Sequence, residues 1–242
     1  MGLNVTVLGC SGSYPGPAGA CSGYLVDDGV TRVWMDAGSG TLANLQTHLE
    51  LGHLDAIVLS HEHPDHWTDL EGFHNVLRFV LERQGFPVYA PAGLRQHTYQ
   101  EMVPWVAWHD VAEGDRVTVG TLDLRFSRTD HPPETLALRV DAPAAGKSFG
   151  YSADTGAGWS LEALGPGLDA VMCEATVPRS LEGAMQHLSA RQAGQSASDA
   201  GAGALILTHL WPTLDPETSR AEGSEAFGAS VEVAEVGRRF AL

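Results

Sequence analysis

The sequence predicts an α/β fold in which two mixed β-sheets pack between outer helices. Three observations lead there. Short runs rich in Val, Leu and Ile recur from end to end, bounded by Gly and Pro clusters; helical spacing is confined to a few segments; and strands give way to alternating strands and helices in two successive halves. No long linker, low-complexity tract or solenoid-period repeat divides the 242 residues, so the expectation is one domain over residues 1–242.

Leu3 to Leu8 alternates apolar and polar residues as a first strand, and Gly23 to Val26 and Thr31 to Asp36 continue the β-rich start. A helix is expected over Thr41 to Leu51, then a strand from Ala56 to Ser60. Leu70, Phe73, Leu77 and Leu81 recur at three- and four-residue intervals, the spacing of one buried helical face, and Gly85-Phe86-Pro87 ends that helix. Val88 to Ala90, Arg116 to Val119, Leu122 to Phe126, Leu136 to Val140 and Phe149 to Ser152 read as strands, with helix and loop over Ala92 to His109. The second half adds a helix-like Trp159 to Leu164, a buried strand Ala170 to Cys173, a helix near Ala190 to Ala200 and a strand Ala204 to Leu207.

Thirty acidic residues against 14 basic ones give a formal charge of −16, which repels phosphate polymers and anionic membranes. A sequence-reading nucleic-acid binder is therefore not expected. Cys10, Cys21 and Cys173 are an odd, dispersed set that argues against a disulfide framework and fits a reducing compartment. The amino terminus lacks the basic and apolar regions of a signal peptide, and no apolar run approaches the roughly 20 residues that cross a bilayer. The expected location is cytoplasmic.

Chemistry concentrates in Ser60-His61-Glu62-His63-Pro64-Asp65-His66, which follows the apolar run Ala56-Ile57-Val58-Leu59. Three imidazoles and a carboxylate then project from one strand-end loop, and neutral imidazole with carboxylate suits zinc and related divalent ions. On extended backbone His61 and His63 point to one side, while Asp65 and His66 turn toward a second position. The plain alternative is a polar loop with incidental histidines.

This segment resembles the His-x-His-x-Asp-His signature of the metallo-β-lactamase superfamily. Later matches follow in order: His131 after a strand, Asp154 in Ser152-Ala153-Asp154-Thr155-Gly156, and His209 at the end of Leu205-Ile206-Leu207-Thr208. Taken singly, His131 before Pro132-Pro133 reads as a turn residue and Asp154 as a turn or cap acceptor. Taken together, the resemblance implies the metallo-β-lactamase fold, an αββα sandwich, with His61, His63 and His131 on one ion, Asp65, His66 and His209 on another, and Asp154 bridging. It implies two divalent ions, zinc by default, with manganese or iron compatible with the same ligands.

Cys173-Glu174-Ala175-Thr176 and His187-Leu188-Ser189 look like the ribonuclease Z branch, which implies that Glu174 orients His187 beside the substrate phosphate. Glu174 also reads as a strand-end charge and Ser189 as a helix N-cap. The 23-position interval from His131 to Asp154 holds a strand, a turn and a strand, with no space for the tRNA-binding arm of that branch. The opening Val7-Leu8-Gly9-Cys10-Ser11-Gly12-Ser13-Tyr14-Pro15-Gly16 and Cys21-Ser22-Gly23-Tyr24-Leu25-Val26 resemble small bacterial cyclic-nucleotide phosphodiesterases.

The resemblance implies opening of a 3′,5′-cyclic nucleotide to the 5′-monophosphate by a bridging hydroxide, with Asp65 handling the proton of the attacking water and His187 that of the leaving oxygen. Other readings are hydrolysis of a lactone, thioester or β-lactam, tRNA 3′-processing, and a non-enzymatic metal-containing sensor. Expected partners are a small phosphodiester substrate and a second copy of the chain, with no stable nucleic-acid complex and no membrane. Trp211, His74 and the Gly9 to Gly16 loop are further candidates for substrate contact, whereas Trp67, Trp105 and Trp108 fit a core role as well.

Overall fold

The computed structural model describes residues 2–99 and 102–242. In chain order its strands and helices are β1 (Asn4–Gly9), β2 (Gly23–Asp27), β3 (Arg32–Met35), α1 (Thr41–Leu45), β4 (Ala56–Val58), α2 (Asp69–Phe79), β5 (Phe86–Ala90), β6 (Val106–Asp110), β7 (Arg116–Val119), β8 (Leu122–Arg128), β9 (Leu136–Ala142), β10 (Lys147–Tyr151), β11 (Ala170–Glu174), α3 (Ala190–Asp199), β12 (Leu205–Thr208), α4 (Pro216–Phe227), β13 (Glu232–Val233) and β14 (Arg239–Ala241). They form two seven-stranded mixed sheets, ordered β14-β1-β2-β3-β4-β5-β6 and β13-β12-β11-β10-β9-β8-β7. In each sheet an antiparallel portion leads into a parallel one: β3 through β6 run parallel, and so do β10 through β13.

Strand alternation builds the layers. Val33 and Met35 of β3 face the core between the sheets, while Trp34 faces outward onto Leu70, Phe73 and Leu77 of α2. Met172 of β11 likewise faces the inter-sheet core, and Val171 and Cys173 face outward toward Ala190, Ala193 and Ala197 of α3. Burial on both faces explains why these strands read as continuous apolar runs. Among the described residues no helix is long and apolar enough to cross a membrane.

Several expectations are corrected. The Thr41 to Leu51 helix stops at Leu45, with a separate 3₁₀ turn over Leu51–His53. Within Ala92 to His109, a 3₁₀ turn over Leu94–His97 precedes β6, which extends the first sheet parallel to β5. Trp159 to Leu164 is a 3₁₀ turn over Leu161–Leu164. The carboxy-terminal α4, β13 and β14 are additional: α4 buries only Ser219 and Gly223 and so lacks the apolar spacing that announces a helix.

Candidate metal centre

Most of the candidate residues follow strands in the parallel portions of the two sheets. Beyond β4, a loop that bends at Glu62 leads to His63, whose φ of −66° and ψ of 136° precede a 3₁₀ turn over Pro64–His66. The loop brings the rings of His61 and His63 together, and the turn carries Asp65 and His66 across. His131 follows β8, Asp154 follows β10, Glu174 ends β11 and His209 follows β12.

One group comprises His61, His63 and His131. Nδ1 of His63 lies 3.1 Å from Nε2 of His61 and 3.2 Å from Nε2 of His131. Asp154 turns Oδ2 toward this group, 3.7 Å from His61 and 3.9 Å from His131. The other group comprises Asp65, His66 and His209, with the two Nε2 atoms 3.2 Å apart and Asp65 Oδ2 at 3.1 Å from His209 and 3.5 Å from His66. Asp154 Oδ1 faces this second group at 3.4 and 3.5 Å. Each group thus meets one oxygen of a carboxylate lying between them.

The rings are fixed from behind, as metal-binding histidines require. Asp36, buried at the end of β3, accepts from His66 Nδ1 at 2.7 Å, from Tyr151 Oη at 2.8 Å, and from the amide and hydroxyl of Ser60 at 2.8 and 2.9 Å. Because the Ser60 hydroxyl donates to Asp36, it accepts from His61 Nδ1 at 2.9 Å. His131 Nδ1 donates to the Gln186 carbonyl at 2.9 Å. Thr176 donates to Glu174 and accepts from His209 Nδ1 at 2.7 Å. The hydrogen-bond network therefore turns Nε2 lone pairs of His61, His66, His131 and His209 inward.

These residues fit divalent metal. Asp154 Oδ1 is buried without a hydrogen-bond partner, and the inward nitrogens of His66 and His209 face each other at 3.2 Å. Nitrogen spacings of 3.1–3.2 Å are close to the edge of a tetrahedron with bonds of about 2.0–2.1 Å. Burial, reinforced by neighbouring imidazoles, holds His61 well below the usual histidine pKa and lowers that of His63, which keeps them neutral. Burial also opposes a charge on His66, but Asp154, Asp65 and Asp36 outweigh it and raise its pKa. Cation-favouring electrostatics are thus present at the second group.

Glu174 is a completely buried carboxylate that gathers donors from three parts of the site. It accepts from His187 Nδ1 at 3.0 Å, the Thr155 amide at 2.7 Å, the Leu188 amide at 3.2 Å, and both the amide and hydroxyl of Thr176. It therefore fixes His187 and, through Thr176, His209. A ring nitrogen of His187 lies within the same 4.8 Å cluster as ligand atoms of Asp154 and His209. Burial disfavours imidazolium at His187, yet the Glu174 hydrogen bond and charge prevail and push its pKa up to about 9.

Left-handed backbone concentrates here: Ser13, Asp36, Ala153 and His209 have φ of 63°, 54°, 50° and 55°. Such conformations in residues with a Cβ persist where surrounding structure enforces them. The Gly9 to Gly16 loop lies against His209, and a Cβ added to Gly12 would fall 2.3 Å from the His209 carbonyl oxygen. Trp211 reaches this loop, donating from its indole nitrogen to Ser13 Oγ at 3.2 Å. His74 instead belongs to the buried face of α2, and Trp67, Trp105 and Trp108 pack with the outer core of the first sheet. Asp36, Ser60 and Thr176 were not distinguished in the sequence as positioning groups, although Asp36 at a strand end before Ala37-Gly38-Ser39-Gly40 offered a signal.

An αββα sandwich with this buried His/Asp centre defines a metallo-hydrolase. The Beta-lactamase superfamily domain matches residues 31–210, and the chain belongs to that family. It is 33% identical over 245 residues to an uncharacterized protein of Mycobacterium tuberculosis, covering 96% of this chain and 89% of the relative. The probable metallo-hydrolase YhfI of Bacillus subtilis is 29% identical over 248 residues, covering 97% of this chain and 98% of YhfI. A crystal structure of YhfI matches with a TM-score of 0.91 at 26% identity, with both chains fully covered. Ribonuclease Z of Mycobacterium bovis is 25% identical over 266 residues, covering 96% of this chain and 95% of that enzyme.

Proposed function

We propose that this metallo-hydrolase is a two-metal phosphodiesterase that opens 3′,5′-cyclic nucleotides to nucleoside 5′-monophosphates. The observation that carries the reading is His187, held by Glu174 at 3.0 Å beside the carboxylate shared by the two ligand groups. Zinc suits the donor set, and His61, His63 and His131 would hold one ion, Asp65, His66 and His209 the other, with Asp154 touching both. When bound, the ions supply Lewis acidity toward the phosphoryl group and toward water.

The remaining chemistry falls to the chain. Asp65 orients the attacking water and takes its proton. The water oxygen forms a bond to phosphorus as the bond from phosphorus to O3′ breaks, and the O3′ electron pair takes a proton from His187. Glu174 keeps that imidazole protonated and pointed, since its Nδ1–H is committed to the carboxylate and Nε2 is left for the leaving oxygen. The interval between His131 and Asp154 is filled by β9, a tight turn and β10, which supports a small substrate over tRNA.

Leaving-group dependence tests the reading. His187→Asn should lower kcat for 3′,5′-cyclic AMP by about 10²–10⁴-fold, but lower kcat for bis(4-nitrophenyl) phosphate far less, because nitrophenolate departs without a proton. Equal losses on both substrates would remove His187 from the proton-donor role.

A further inference from the structure

We propose that Trp211 governs metal retention at the Asp65–His66–His209 half of the centre by holding Ser13 in place. The inference rests on the two-metal reading and assigns a positioning role within it.

Every imidazole of that half has a partner behind it, Asp36 for His66 and Thr176 for His209. Asp65 has one too. The Ser13 amide donates to Asp65 Oδ2 at 2.9 Å, the same oxygen that faces both imidazoles, and lies 3.4 Å from His209 Nε2. Ser13 makes this contact from a φ of 63°, a left-handed conformation disfavoured for a residue with a Cβ. Neighbouring contacts hold it.

The holding contacts come from the segment after His209. The Gly12 amide donates to the Leu210 carbonyl at 2.9 Å, and Ser11 forms a parallel bridge with Leu210. A Cβ on Gly16 would come within 2.9 Å of Pro212, so the loop lies flush along this segment. The side-chain anchor is the Trp211 indole, whose N–H donates to Ser13 Oγ at 3.2 Å. Trp211 is itself tied to the segment that follows β11, its amide donating to the Thr176 carbonyl at 3.4 Å. A chain of contacts thus runs from Trp211 through Ser13 to Asp65, and outer partners of metal ligands commonly change affinity by about 10–100-fold when removed.

The test is Co²⁺ titration of chelator-stripped full-length protein, followed by visible absorption, together with the Tm of the metal-free form. Wild type should take up two Co²⁺. Trp211→Phe and Ser13→Ala should each weaken one of the two by about tenfold and spare the other, with the metal-free Tm unchanged. The double variant should be no weaker than either single one, because both changes break the same link. Unchanged affinities, additive losses, or equal weakening of both ions with a lowered Tm would overturn the proposal. Uptake of a single Co²⁺ by wild type would instead overturn the two-metal reading beneath it.

Discussion

Glu174 and Asp36 show how single carboxylates behind a metal centre constrain it. Glu174 is surrounded by donors, so Glu174→Gln must turn an NH₂ group against at least one of them. The expected cost is about 1–3 kcal/mol, seen as a Tm lowered by roughly 2–10 °C, together with a fall in kcat of about a hundredfold for cyclic AMP. A variant with wild-type kcat would show that the His187 contact is incidental. The His61-to-His66 cluster was legible in the sequence because imidazoles and a carboxylate gathered after an apolar run carry a spacing that packing alone does not produce, whereas His131, Asp154, His209 and the Glu174–His187 pair were marked only by the family resemblance. Ser60, Thr176 and the Ser13 amide were not, because hydroxyls and backbone groups acquire such roles only when distant strand ends meet.

At the scale of elements, α3 illustrates what patterning reveals and what it hides. Its start was visible in Ser189, which forms a capping box with Gln192. Its partner α4 was hidden, since that contact is made through glycines: a Cβ on Gly194 would sit 2.5 Å from the Gly223 carbonyl oxygen, and one on Gly223 would sit 2.9 Å from Leu207. Close backbone approach leaves no apolar stripe to read. Gly194→Ala should separate the two helices and cost about 1–3 kcal/mol, measured by denaturant unfolding; an unchanged midpoint would mean that the contact yields without penalty. The edge strand β6 was missed for a related reason, its burial fading toward the exposed His109 and Asp110.

Across the whole molecule, the two sheets are also joined away from the metal centre. Asp28, in the turn after β2, accepts from the Val30 and Thr31 amides and from the Thr121 hydroxyl between β7 and β8. Burial would raise its pKa, but these donors outweigh burial and lower it from the ordinary 3.8. A lowered carboxylate pKa stabilises the fold above the unfolded-state value and stops doing so as pH falls through the folded-state value. Asp28→Asn should therefore lower Tm by roughly 3–10 °C near neutral pH, and the gap from wild type should close as pH drops below 3.8. A constant gap would deny the linkage.

The fold class was legible at this scale because burial on both faces of the strands left continuous apolar runs bounded by turns. The sheet edges formed by β13 and β14 were not, being two- and three-residue strands defined by their partners. Metal dependence likewise belongs to the assembled molecule, since the ligand groups draw on both sheets. Stripping with a chelator should abolish hydrolysis and readdition of Zn²⁺ or Mn²⁺ should restore it; activity surviving complete stripping would contradict the assignment.

The most direct measurement is product analysis after incubating metal-replete protein with 3′,5′-cyclic AMP, beside Asp65→Ala as a control for contaminating enzyme. The expected result is 5′-AMP from wild type and almost none from the variant. Failure of wild type to turn over any 3′,5′-cyclic nucleotide, or equal product from both proteins, would contradict it.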